Sequence, residues 1–315
     1  MTDTVAGDTM DAIYEVSESD ARTIYPVTRR VWSGRTAWQA VEIVESPTYG
    51  RMLFLDGELQ SASADEVVYH EALVHPAMAG AAASLSGPLR VLVVGGGEGA
   101  TVREVLRWSQ VERVDWVDVD GELVAICEEH LGWAPGVRTD PRVRFFAEDV
   151  RAVLPRMDRD GYDVIILDLP DPDGETGYLY SDEFWGDIQR VLRPVRGRIV
   201  THCGPVRPFG NVGEGFQRIW KAGVAPVGGF YHIGIPSFQG EWGFWLMVAG
   251  TEWNRPFGFV LAPTSILGVV APVAEVARWF DYAWLTRCAA PDRLWGRAVH
   301  EAVVGVPRQG LLENM

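Results

Sequence analysis

The segment Asp168-Leu169-Pro170-Asp171-Pro172 sets two carboxylates three residues apart, with a proline following each spacing. Acids paired in this way bind and orient a cation and can take a proton from it. The prolines restrict the backbone and pre-organise the loop. The plainer use of the same residues is a turn in which an Asp side chain caps its own backbone. A second acidic feature lies upstream, where Gly95-Gly96-Gly97-Glu98-Gly99-Ala100 closes the apolar run Leu89–Val94. Gly95, Gly97 and Ala100 satisfy the relaxed dinucleotide fingerprint, whose glycines allow a tight turn and close approach of a ligand. Glu98 argues against a dinucleotide, because a carboxylate inside the loop would face the pyrophosphate at a desolvation cost. It would welcome a sulfonium or a primary ammonium instead. Asp118 follows Glu98 by 20 residues and can accept from both hydroxyls of a ribose; a solvated strand end is the alternative. Glu148-Asp149 come after a third apolar run, where an adenine amino group could donate to them. An acidic helix N-terminus favoured by the macrodipole is the competing account.

These residues need a frame that delivers them to one edge. Apolar runs at Leu89–Val94, Val111–Val119, Val143–Phe146, Tyr162–Leu167 and Gly197–Thr201 read as buried strands. Helical segments alternate with them at Thr101–Trp108, Gly121–His130, Val150–Met157 and Ser181–Leu192. This alternation predicts an α/β fold with a doubly wound, mostly parallel sheet and ligands at the strand C-termini. Tyr231–Ile235 and Gly243–Val248 are expected as an antiparallel edge. Upstream, Trp38–Val44 and Met52–Leu55, with turn signals at Pro47–Gly50 and Asp56–Gly57, predict a small antiparallel β domain. A helix is expected to open at Ala64-Asp65-Glu66 and to run through Tyr69, His70 and Leu73 towards Pro76. The expected organisation is an acidic lead-in over 1–22, the β domain over 23–78, the Rossmann-like domain over 79–250, and a tryptophan-rich helical extension over 251–315.

Composition narrows the chemistry. Forty-three acids against 28 bases give a net charge of −15 over 315 residues. That balance argues against binding nucleic acid through its phosphates and against docking on an anionic membrane. It suits a cationic substrate, although acidity also serves solubility. Three scattered cysteines form neither a disulfide framework nor a zinc site, so a reducing, cytoplasmic setting is expected. No apolar h-region opens the chain, and Ile266–Ala274 is too short to span a membrane. His70 and His75, five apart, do not share a helix face, and no metal is expected. Gly-x-Ser-x-Gly and Walker patterns are absent from the sequence.

The ordered set Leu55-Asp56-Gly57-Glu58-Leu59-Gln60-Ser61, Asp65-Glu66, Tyr69-His70-Glu71, Gly95–Gly99, Asp118-Val119-Asp120 and Asp168–Pro172 resembles the polyamine aminopropyltransferases, the spermidine and spermine synthase family. Tyr69–Pro76 and Thr201–Pro205 look closest to the thermospermine synthase branch. The resemblance implies a methyltransferase-like Rossmann domain behind an N-terminal β domain, a homodimer, and decarboxylated S-adenosylmethionine as donor. By the same resemblance Glu98 meets the donor's amine, Asp118 its ribose and Asp149 its adenine, with Gln39 near by. Asp168 becomes the proton acceptor, and Asp171, Tyr69 and His70 hold the acceptor amine, under a gate reaching Tyr178.

Three departures bear on the acceptor. His70 stands where these enzymes often have Gln, Phe238 where they often have Tyr, and Gly204-Pro205 where an acid is common. Together they favour a spermidine-type triamine over putrescine. A free imidazole at position 70 would repel a cationic acceptor once protonated, so activity is expected to rise through about pH 6.5. The competing readings are an S-adenosylmethionine methyltransferase, a diverged transferase acting on a specialised amine, and a nucleotide-binding module without catalysis. Clustered acids argue against the last, since a scaffold has no need to gather negative charge.

Overall fold

The computed structural model describes residues 11–16, 22–170, 174–206 and 228–249. Asp171 and the expected helical extension over 251–315 lie outside the described residues.

The described residues open with an antiparallel pair, β1 (Ala12–Val16) on β2 (Arg22–Pro26). The loose lead-in expected over 1–22 is therefore a strand over part of its length. Its run of five residues, Ala-Ile-Tyr-Glu-Val, is too short and too irregular in alternation to be read as one. An antiparallel four-stranded sheet follows: β3 (Arg29–Arg35), β4 (Ala40–Ser46), β5 (Gly50–Leu55) and β6 (Glu58–Ala62), in that spatial order. Sequence reasoning finds β4 to β6 but not β3, whose side chains are nearly all exposed or half-exposed. The buried face of β4 and β5 carries Val41, Ile43 and Leu53, which pack on Leu123, Ile126 and Leu131 of the larger domain.

Helix α1 (Glu66–Ser84) is apolar almost all round, as a helix sandwiched between layers must be. Pro76 sits inside it. It packs on α2 (Ala100–Leu106) and against the large sheet, so the domain boundary expected after residue 78 falls within a helix of the second domain.

The large sheet has seven strands in the order β12-β13-β11-β10-β7-β8-β9. Five are parallel: β7 (Leu89–Gly95), β8 (Val111–Asp118), β9 (Val143–Ala147), β10 (Val164–Asp168) and β11 (Arg198–Val206). Helices α3 (Gly121–His130), α4 (Val150–Val153) and α5 (Asp182–Val191) connect them, and β12 (Gly228–Ile235) and β13 (Gly240–Val248) form the antiparallel edge. The chain winds outward from β7 to β9, then crosses back to lay β10 on the other side of β7. That reversal opens a crevice at the strand C-termini, with Asp168 in register beside Gly95.

Candidate active site

Residue by residue, the crevice is built by the ends of β7, β8 and β10. Gly95 has φ +80°, and a Cβ there would lie 2.0 Å from the carbonyl oxygen of Asp168. No side chain fits, so only glycine lets β7 turn this close to β10. The Gly96 amide donates back to that carbonyl at 3.0 Å, and the loop delivers Glu98 to the start of α2. A Cβ on Gly97 would stand 3.3 Å from the Asp118 carboxylate, so the glycine turn also leaves room for the end of β8.

Asp168 is held on both oxygens. Tyr69 donates to Oδ1 at 3.1 Å and Thr101 donates to Oδ2 at 2.5 Å. Burial raises its pKa, Glu98 raises it further, and His70 and Thr101 pull the other way. At the end of β8, burial together with the charges of Asp120, Glu98 and Asp168 pushes Asp118 up to about 7 against its backbone hydrogen bond. Three carboxylates, from the β7–α2 turn and the ends of β8 and β10, thus share one crevice, and their mutual repulsion is what a cation would relieve.

His70 is wholly buried and presents no open face. Its Nδ1 lies 2.6 Å from the Glu66 carbonyl oxygen and 3.1 Å from Glu66 Oε2, and its Nε2 lies 3.3 Å from Glu98 Oε1. Burial opposes its charge, but the carboxylates of Glu66 and Glu98 on either side of the ring raise its pKa to about 10. The expected activity rise near pH 6.5 is therefore wrong as a His70 effect: the ring does not titrate there.

Gln39 reaches the same edge from the β domain, its Nε2 donating to Asp120 Oδ2 at 2.9 Å. Thr36 donates to that oxygen at 2.6 Å, while Asp120 Oδ1 caps α3 by accepting from the Leu123 amide. Asp149 caps α4 and is gripped by Arg151, which lowers its pKa. The Arg151 guanidinium lies 4.0 Å over the ring of Tyr178, tying the residues after the Asp-Leu-Pro turn to Asp149. Glu148 is not drawn in; it is exposed and pairs with Arg156 at 2.7 Å. On the opposite side Tyr69 meets Phe238 with ring centroids 6.0 Å apart, and Phe238 meets Trp242 at 4.6 Å. Sequence reasoning overlooked Thr101, His202 (whose Nε2 bonds the Leu169 carbonyl) and the Glu66–Arg103 pair. A hydroxyl in the first turn after a glycine loop was the available signal for Thr101.

Among the described residues, Glu71, His75 and Glu104 have the spacing of a metal site. Trp108 donates to His75 Nδ1, and Arg107 and Arg103 hold the two glutamates, so these donors already serve an ion-pair network.

Residues 13–63 match the spermidine synthase tetramerisation domain and residues 66–202 the spermine/spermidine synthase domain. Polyamine aminopropyltransferase 2 of Pseudomonas aeruginosa is 39% identical over 245 residues, covering 75% of this chain and 67% of its own. The chain belongs to the polyamine aminopropyltransferase family. It is an aminopropyl-transferring enzyme, as the resemblance implied. A polyamine aminopropyltransferase of Synechococcus sp. is 41% identical, covering 74% of this chain and 75% of its own. Polyamine aminopropyltransferase 2 of Hyperthermus butylicus is 35% identical, covering 87% and 89%. The fold is that of a spermidine synthase solved in complex with the transition-state analogue AdoDATO, at TM-score 0.76 and 24% identity, with 92% of this chain and 94% of that one covered. The spermidine synthase from Thermotoga maritima superposes at TM-score 0.75 with 22% identity, covering 92% and 94%.

Proposed function

We propose that this enzyme transfers the aminopropyl group of decarboxylated S-adenosylmethionine to a spermidine-type triamine, giving thermospermine or spermine and releasing 5'-methylthioadenosine. The observation that carries the reading is the convergence of Glu98, Asp118 and Asp168 at the strand reversal, with Asp168 bonded by Tyr69 and Thr101. In this reading the donor's ammonium pairs with Glu98, its ribose with Asp118, and its adenine with Asp149, while Gln39 closes the edge from the β domain. An unprotonated acceptor nitrogen attacks the propyl carbon beside the sulfonium. The C–N bond forms as the C–S bond breaks, its electron pair stays on sulfur, and a neutral thioether leaves without acid help. The proton shed by the new ammonium goes to Asp168. An ordinary Asp near 3.9 is a poor base for an amine near 10, so the raised pKa of Asp168 narrows the gap.

Tyr69, Phe238 and Trp242 make an aromatic wall that suits the methylenes of a long amine. Phe238 offers no hydroxyl, and Gly204-Pro205 no acid, to the second ammonium of a short diamine. With Asp171 as a further partner for the acceptor, a triamine can spread its charges. We also propose a cytoplasmic homodimer. Tyr14 and Ile24, paired across β1 and β2, are 65% and 57% exposed, and they belong to the segment matched by the tetramerisation domain. Among the described residues no helix is long and apolar enough to cross a membrane. Mass spectrometry of incubations with decarboxylated or intact S-adenosylmethionine and a panel of amines tests the reaction. The expected product is an aminopropylated triamine made only from the decarboxylated donor. Methylated amine from the intact donor would overturn the reading in favour of a methyltransferase.

A further inference from the structure

The wall behind Glu98 is a buried line of alternating charge. Glu98 faces His70, and His70 faces Glu66 on its own helix. Glu66 receives the fork of Arg103 from α2, Nη1 to Oε1 at 3.0 Å and Nη2 to Oε2 at 2.8 Å. Arg103 Nε continues to Glu104 at 2.8 Å, and Glu104 to His75 at 3.2 Å. Glu66, His70 and Glu104 are each more than nine-tenths buried.

The partners dictate the protonation of His70. Both groups at Nδ1, a carbonyl and a carboxylate oxygen, only accept, so Nδ1 must carry a proton. The carboxylate of Glu98 at Nε2 also only accepts, though the contact is an ion pair rather than an aligned hydrogen bond. With Nδ1 protonated and a carboxylate 3.3 Å from Nε2, the ring sits between two acids that favour its charged form. A buried imidazole facing one acid would lose charge to desolvation; a second acid prevents that, and Arg103 in turn prevents Glu66 from being a buried unpaired charge. The groups around the ring are Glu66 and the Tyr69 ring from α1, Glu98 from the β7–α2 turn, and Asp168 acting from the end of β10.

We propose that Glu66 and Arg103 are positioning residues for Glu98, acting through a His70 that they keep protonated. The proposal rests on the reading of Glu98 as the donor-side acid. The pair sits at one remove from the crevice and touches no substrate. It fixes Glu98 as an oriented carboxylate before the donor arrives, and it offsets the repulsion among Glu98, Asp118 and Asp168.

The test uses the full chain with nitrogen-15 histidine, the His70 signals being assigned by their loss in His70→Gln. In the wild type these signals should not move between pH 6 and 9. In the Glu66→Gln/Arg103→Gln double variant, which removes one charge of each sign, they should titrate within that window. The double variant's kcat/KM relative to wild type should then fall at least tenfold as pH rises from 6 to 9, mainly through the donor's KM, while Arg103→Lys should retain a flat ratio. A wild-type His70 that titrates below pH 8, or a double variant with the wild-type pH profile, overturns the proposal. The NMR titration needs no turnover, so a protein without aminopropyl transfer would sink the functional reading while this result still decided the charge clamp.

Discussion

Asp168 takes a hydroxyl hydrogen bond on each carboxylate oxygen, from Tyr69 and Thr101, and its pKa is raised by burial and by Glu98. That arrangement suits the proton-accepting role proposed for it. Asp168→Asn keeps the shape and removes that capacity, and general-base losses run to about 10²–10⁴-fold. We expect a fall of that size in single-turnover rate, with donor affinity by calorimetry within a few-fold of wild type; an unchanged rate would remove Asp168 from the chemistry. Asp118 makes a separate prediction. Burial, with neighbouring acids, holds it at about 7 in the free protein, so it is half protonated near neutrality. A cationic donor favours its ionised form, so binding must release a proton wherever the free carboxyl still holds one. Donor affinity should rise with pH up to about 7 and then level off. Calorimetry at pH 6 in two buffers of different ionisation enthalpy should show proton release; uptake would contradict the assignment.

The elements place these groups by a few specific ties. Asp65, just before α1, accepts from the Ser237 amide and hydroxyl, each at 2.8 Å, and Tyr25 of β2 donates to the Ser237 carbonyl. This fixes the turn Pro236–Phe238 and so places the Phe238 ring against Tyr69. Asp65→Ala leaves buried donors unmatched, at about 1–3 kcal/mol. It should raise the acceptor's KM several-fold and lower urea stability by that amount, with donor affinity unmoved; a loss confined to the donor would place Phe238 elsewhere. The parallel strands were legible because buried strands are continuous apolar runs, and acids that end such runs stand out, as Glu98, Asp118 and Asp168 do. Strands β1 and β3 were not: β1 is only five residues long with one side chain fully buried, and β3 is largely polar and exposed. The charge state of His70 was hidden for another reason. Glu66 is its neighbour along the helix, but Arg103 meets Glu66, and Glu98 meets His70, only once α2 packs on α1. Asp120 caps α3 in the structure, while its hydrogen bonds from Thr36 and Gln39 join two sheets that sequence cannot bring together.

At the scale of the whole molecule, a negatively charged protein gathers an aromatic wall and a row of acids at one sheet edge, which suits a long, flexible polycation. Its net charge of −15 favours the approach of any cationic amine, so overall charge does not choose between acceptors. In the proposed reading, selection falls to the local departures at Phe238 and Gly204-Pro205, because His70 is wholly buried and faces Glu66 and Glu98 rather than the acceptor. The most direct measurement is a competition: equimolar spermidine and putrescine, limiting decarboxylated S-adenosylmethionine, one pH, and products quantified by mass spectrometry. The product ratio equals the ratio of the two kcat/KM values. The account predicts that the aminopropylated triamine dominates. A ratio well below one, with spermidine accumulating from putrescine, would contradict it.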